Sequence, residues 1–206
     1  MNSPDGGGFV IPKKRPDRQL FIATVNTVFT DFEIDYINRE IKEYPDELRA
    51  GKVGDNTLIK SVRDSEVAWL KVGQNAWIYE KVWQAVKLAN ETWWQFDILH
   101  NTPRLGNAMQ YTVYSSEEEG HYDWHMDMGT DATWNRKLTY SIQMSNPSEY
   151  EGGILTLQSH GMDTKTAKKK KGTMTIFPSF LRHRVTPVTE GTRRSLVGWV
   201  GGPAWR

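Results

Sequence analysis

Residues 120–127 read Gly-His-Tyr-Asp-Trp-His-Met-Asp. On a β-strand, alternate side chains share a face. His121, Asp123, His125 and Asp127 then all point the same way. A His and an Asp two positions apart on one face can reach a single metal ion. Spacing therefore offers two pairs, His121 with Asp123 or His125 with Asp127, and does not choose between them. The neighbouring segments support the strand reading. WQFDILH (94–100), NAMQYTVY (107–114), KLTYSIQM (137–144), GGILTLQ (152–158), GTMTIF (172–177) and RRSLVGWV (193–200) are short β-rich runs separated by Gly, Pro, Asn and charged residues. Short strands at such spacing predict a sandwich or barrel. No long helix falls between them, which argues against parallel βαβ units.

Upstream the period changes. LFIATV (20–25) reads as a strand. Thr30 and Glu33 form a capping box that opens a helix, with Phe29 and Ile34 placed as its hydrophobic staple. Ile34, Ile37, Ile41 and Tyr44 recur at helical spacing. Residues 45–56, with Pro45, Gly51 and Gly54, read as loop, and residues 57–70 suit short strands. A second helix is predicted over about 74–90, with Ile78, Val82, Ala85, Val86 and Ala89 on one stripe. The lysine run 168–171 reads as a solvated hairpin turn. The chain is thus expected to be mainly β, with N-terminal helices packed outside a barrel or jelly-roll core. Residues 1–18 read as a flexible tail. Residues 19–206 read as one domain, with helical support over 19–92 and the core over 93–206.

Composition narrows the chemistry. The chain has 206 residues, of which 25% are charged and 38% hydrophobic. That is the profile of an ordinary globular domain. Its formal net charge of +1 calls for no nucleic-acid or membrane partner. No apolar run approaches the ~20 residues needed to cross a bilayer. The first residues lack the apolar core of a secretory signal, so a cytoplasmic location is the default expectation. Without cysteine there is no thiolate site, and a metal must be held by His and carboxylate.

A facial triad of two His and one carboxylate needs one more imidazole. The remaining histidines are His100, His160 and His183. His183 stands out because it follows a turn with Pro178 and precedes a strand. Ten residues later comes Arg193, whose planar fork suits a carboxylate. Ser195 shares its strand face and offers a hydroxyl, whereas Arg194 points the other way. A lone His-x-Asp arises by chance on polar strands, and a lone strand Arg is more often a surface ion pair. The His-x-Asp strand, the distal His and the Arg at this offset form a more specific combination.

At this point the chain resembles the prolyl/lysyl hydroxylase type of 2-oxoglutarate and iron(II)-dependent dioxygenases, in the prolyl 4-hydroxylase alpha-subunit superfamily. MQYTVY, GHYDWHMDMG, RKLTYSIQMS, YEGGILTL and GTMTIFPSFLRHRVTPVTEGTRRSLVGWVGGP carry the resemblance, over roughly residues 95–203. It implies a double-stranded β-helix, or jelly roll. Family members carry a Tyr three residues before the metal His, which Tyr122 matches. That implies iron(II) ligation by His125, Asp127 and His183. It also implies that Arg193 pairs with the distal carboxylate of 2-oxoglutarate, helped by Ser195 and by Tyr114, with Tyr111 as the rival tyrosine. Dioxygen is the second co-substrate, and ascorbate is the implied reductant.

The resemblance implies hydroxylation of a prolyl or other residue in a polypeptide, with release of succinate and carbon dioxide. A free amino acid or small metabolite is the alternative substrate. A non-catalytic metal-binding jelly roll and a zinc hydrolase are the readings from other classes; neither accounts for Arg193. Trp134 and Arg136, in the loop after Asp127, are candidate substrate contacts, as are His121 and Asp123. Trp124 and Met126 read as packing, Trp199 as barrel interior, and Arg63, Trp69 and Trp93 as scaffold. The oligomeric state is left open.

Overall fold

The structure is a computed structural model that describes residues 21–43, 48–52, 57–70, 75–99, 108–130, 132–158 and 164–204. The expected tail, Tyr44, Pro45, Gly54, His100 and His160 lie outside the described residues. In chain order the elements are β1 (Ala23–Val25), α1 (Asp31–Glu43), β2 (Arg49–Ala50), β3 (Arg63–Asp64), β4 (Glu66–Leu70), α2 (Ala76–Trp93), β5 (Met109–Ser115), β6 (His121–His125) and β7 (Arg136–Gln143). There follow β8 (Tyr150–Gly152), β9 (Leu155–Gln158), β10 (Thr164–Thr166), β11 (Met174–Pro178), β12 (His183–Val185) and β13 (Val188–Gly201).

The strands form two antiparallel sheets. The major, eight-stranded sheet runs β1-β11-β7-β13-β5-β4-β2, with β8 added on β13. The minor sheet runs β10-β9-β12-β6-β3. This is the jelly-roll arrangement. The stretch read as helical support also supplies β1 to β4, which extend both sheets.

Alternation along the three central strands sorts the chain into an outer apolar layer and a polar lumen. On β5, Met109, Tyr111 and Val113 join the cluster that packs against the helices, whereas Gln110, Thr112 and Tyr114 line the lumen. On β7, Leu138, Tyr140 and Ile142 face the helices and Thr139 and Ser141 the lumen. On β13, Leu196 and Val200 lie outside, and Arg193, Ser195, Val197 and Trp199 inside. Gly198 falls on the outer face, where a Cβ would run into the Tyr140 hydroxyl.

The helices complete the outer layer. Thr30 N–H donates to Glu33 Oε2 at 2.7 Å, and Glu33 N–H donates to Thr30 Oγ1 at 3.3 Å, so the capping box forms as expected. Ile34 and Ile37 of α1 and Ile78, Ala85, Val86 and Ala89 of α2 are fully buried. Each large aliphatic side chain so buried contributes about 1.5–3 kcal/mol. Among the described residues no helix is long and apolar enough to cross a membrane.

Three sequence expectations fail here. Arg49 and Ala50, within the stretch read as loop, form β2 and pair with Val67 and Glu66 of β4. Residues 95–99 form no strand. Gln95 has φ +55°, and the Asn90 side chain takes up both Phe96 N–H and Phe96 C=O at 3.0 and 2.9 Å. A side-chain amide thus replaces a sheet partner. The lysine run is not a hairpin turn either, because β10 and β11, which it joins, belong to different sheets. Lys171 is not solvated: its ammonium lies 2.7 Å from Asp35 Oδ1 on α1, and it fastens the crossover to the helix.

Candidate active site

His125 ends β6, Asp127 follows it, and His183 opens β12. β12 and β6 are antiparallel neighbours with His183 opposite His125. Asp127 N–H and Met128 N–H both donate to Ser179 C=O at 3.1 Å, which folds the chain after β6 against the turn that leads to His183. Potential ligand atoms of the three residues all lie within 4.8 Å of one another. Asp127 Oδ2 is 3.3 Å from His183 Nε2, and Oδ1 is 3.8 Å from His125 Nε2.

The ring nitrogens are sorted by the backbone. His125 Nδ1 lies 2.7 Å from Asp123 C=O, and His183 Nδ1 lies 3.0 Å from Leu181 C=O. A carbonyl only accepts, so each Nδ1 carries a proton, and in the neutral ring each Nε2 presents its lone pair. Burial, reinforced by nearby His183, pushes the His125 pKa down to about 3, so the ring is neutral. Burial alone would raise the Asp127 carboxyl; attraction to His183 and His125 and a Thr139 hydrogen bond outweigh it and keep the group ionised. For His183, burial pulls the pKa down, but the Asp127 charge outweighs it and the net shift is upward. An ionised carboxylate between two imidazole lone pairs is a donor set that fits a divalent transition metal.

The register within β6 departs from simple alternation. β12 pairs Val185 with Tyr122 and His183 with His125, so an irregularity falls between them. Tyr122 and His125 therefore share the lumen face, with ring centroids 3.5 Å apart and planes at 13°. His121 and Asp123, expected beside the ligands, do not line the cavity. His121 Nδ1 lies against Glu119 C=O, and Asp123 accepts from Trp124 N–H. Met126, expected to pack, is 53% exposed and lines the cavity mouth because β6 has ended. Trp124 does face away, between the guanidinium groups of Arg182 and Arg184.

The triad opens into a cavity of about 440 Å³. Arg193, Tyr114 and Ser195 line the same space. Arg193 is 3% exposed, yet among the described residues no carboxylate lies within ion-pair distance of it. Its guanidinium sits 5.4 Å from the Tyr114 ring centre, and the Tyr150 hydroxyl, which also accepts from Gln143, hydrogen-bonds it. Gly153 makes room for it: a Cβ there would lie 2.8 Å from Arg193 Cδ. Ser195 Oγ is buried with no hydrogen-bond partner. A buried cation with no anion beside it among the described residues, on the same strand face as an orphaned hydroxyl, could take up a carboxylate. Tyr111 points elsewhere, donating to Asn38 Oδ1 on α1 at 2.7 Å. Arg194 also faces away, 3.7 Å from Glu149.

Near the mouth, Arg136 donates from Nη1 to Asp127 C=O at 3.1 Å and lies 4.0 Å from the Trp199 ring centre. Trp134 is 49% exposed and does not line the cavity. Arg63 and Thr139 are among the lining residues that sequence reasoning passed over. Arg63, read as scaffold, is buried, donates to Gln110 Oε1 at 2.9 Å and lies 4.7 Å from the Tyr122 ring centre. Thr139 donates to Asp127 Oδ2 at 2.8 Å. The polar alternation of Thr139, Ser141 and Gln143 along an otherwise apolar strand was the available signal for the second.

A jelly roll with two His, one carboxylate and a buried Arg in a single cavity could hold a mononuclear non-haem iron. Residues 109–201 match the profile of the 2OG-Fe(II) oxygenase superfamily. A PKHD-type hydroxylase of Synechococcus sp. (strain CC9605) is 38% identical over 79 residues, covering 38% of this chain and 36% of that relative's length. The chain spans about half or less of the length of this and two further PKHD-type relatives. In fold, the chain is similar to a Pseudomonas putida prolyl-4-hydroxylase (TM-score 0.69, 15% identity, 89% and 94% of the two chains). It is also similar to the Trichoplax adhaerens prolyl hydroxylase solved with a peptide of the hypoxia inducible factor oxygen degradation domain (TM-score 0.74, 14% identity, 88% and 84%).

Proposed function

We propose that this chain is an Fe(II)- and 2-oxoglutarate-dependent dioxygenase that hydroxylates a prolyl residue of a polypeptide. The observation that carries the reading is the shared cavity, with a ligand-ready triad and a buried Arg193 that lacks a carboxylate. His125, Asp127 and His183 would hold the iron, and Arg193, Ser195 and Tyr114 would hold the distal carboxylate of 2-oxoglutarate. When bound, these groups supply oxidative decarboxylation of 2-oxoglutarate to succinate and carbon dioxide, coupled to substrate hydroxylation. The protein's part is to fix both ends of the co-substrate and to hold each imidazole by an Nδ1–H bond to a backbone carbonyl, so that each Nε2 points at Asp127.

The polypeptide substrate is favoured by the peptide bound to the Trichoplax neighbour and by the mouth, where Met126 and Trp69 are about half exposed. Arg136 stacked on Trp199 offers a flat wall for a target ring. Anaerobic addition of iron(II) and 2-oxoglutarate should give the visible charge-transfer band of the chelate. Its absence in folded, metal-loaded protein overturns the assignment. Succinate release on admitting air, compared across proline-containing peptides and free amino acids, tests the substrate class.

A further inference from the structure

Thr139 lies on the lumen face of β7 and is 1% exposed. Its hydroxyl stands 2.8 Å from Asp127 Oδ2 and 3.0 Å from Ser179 Oγ. Ser179 is fully buried, in the turn that leads to His183. An ionised carboxylate has no proton to give, so Thr139 must donate to Asp127. A hydroxyl has one proton, so Ser179 must in turn donate to Thr139. The direction of the Ser179–Thr139–Asp127 chain is therefore fixed. Ser179 also holds Asp127 by the backbone, through its carbonyl.

We infer that Thr139 is a positioning residue for the metal centre, which sets the orientation of the Asp127 carboxylate; this rests on the metal-centre reading above. Among the described residues, it is the side-chain donor outside the ligand set that reaches this carboxylate. Its bond stops rotation about the Asp127 side chain, so the carboxylate plane stays turned toward both Nε2 atoms. Donors outside the ligand set typically govern about 10–100-fold in metal affinity.

The test is a Mn(II) titration of the full chain, followed by loss of the free-ion EPR signal. Thr139→Val keeps the shape and removes the donor; Thr139→Ser keeps the donor. The expected result is a loss of about 10–100-fold in Mn(II) affinity for Thr139→Val, with thermal stability near wild type and recovery in Thr139→Ser. The iron(II)–2-oxoglutarate charge-transfer band should also shift in Thr139→Val, which a purely structural role would not cause. If the valine variant fails to fold, Thr139→Cys, a weaker donor of similar size, gives the same comparison. Equal affinity and an unmoved band in wild type and the donor-deficient variant overturn this inference alone. A wild-type chain that binds no Mn(II) overturns it together with the metal centre.

Discussion

The phenol ring of Tyr122 lies flat on the imidazole of His125, with centroids 3.5 Å apart and planes at 13°. The contact fixes the His125 ring from one side, and the Nδ1–H bond to Asp123 C=O fixes it in its own plane. Arg63 lies over Tyr122, and burial pushes the phenol pKa up to about 12, so the ring stays neutral. Such ring pairs are worth about 0.5–1.5 kcal/mol beyond their buried area. Tyr122→Phe should therefore keep Mn(II) affinity close to wild type, whereas Tyr122→Ala should weaken it up to about 10-fold. Calorimetric titration of both variants decides this; equal binding by the alanine variant would mean the stack contributes nothing.

Arg193 should govern 2-oxoglutarate binding without governing metal binding. Removing one member of a buried charge pair costs about 2–5 kcal/mol, so Arg193→Ala should raise the KM for 2-oxoglutarate by about 30-fold or more. Arg193→Lys should recover little, because a point charge does not replace a planar fork. Arg194→Ala, on the opposite face, should change neither. Succinate formation against 2-oxoglutarate concentration, with Mn(II) affinity as the control, measures both.

Gly153→Ala should injure the same pocket from behind. Gly153 has φ +54°, and an added Cβ would lie 2.8 Å from Arg193 Cδ. The left-handed backbone alone costs a non-glycine residue about 1–2 kcal/mol. The variant should melt lower and bind 2-oxoglutarate more weakly, with its Mn(II) affinity retained. Unchanged melting and unchanged 2-oxoglutarate binding would show that the backbone relaxes freely there.

The capping box of α1 predicts a pH effect with a definite sign. Burial would raise the Glu33 pKa, but the hydrogen bonds from Lys81 and Thr30 outweigh it and hold the group below its ordinary 4.5. A depressed folded-state pKa means that stability is present above that ordinary value and is lost as the pH falls through the lowered one. Glu33→Gln should therefore be less stable than wild type at neutral pH, and the two should converge in acid. Thr30→Ala should cost about 1 kcal/mol. Denaturant melts at several pH values check both, and a Glu33→Gln deficit that persists unchanged in acid would contradict the assignment.

Periodicity made the outer layer and the polar lumen legible in the sequence. Tyr140 and Ile142 against Thr139 and Ser141, or Leu196 against Arg193 and Ser195, follow directly from alternation on strands. The capping box and the stripe of α2 were equally plain. The irregular register between Tyr122 and His125 was not, because nothing in the residue types marks where a strand gains an extra residue. That one irregularity removes His121 and Asp123 from the cavity. Arg63 was hidden for another reason: it sits on a two-residue strand, too short to show a period. The lysine run misled because chain proximity says nothing about which sheet the next strand joins.

The long strand β13 also sets a scale. Arg193 and Trp199 both stand on its lumen face. At about 3.3 Å per residue, the stretch between them is roughly 20 Å of backbone. One element thus works as a ruler, with Arg193 at one mark and the mouth at the other. Loops around the opening are free to vary while the depth of the cavity stays constant. A two-residue insertion in β13 would keep every side chain on its face and still put the two marks out of step.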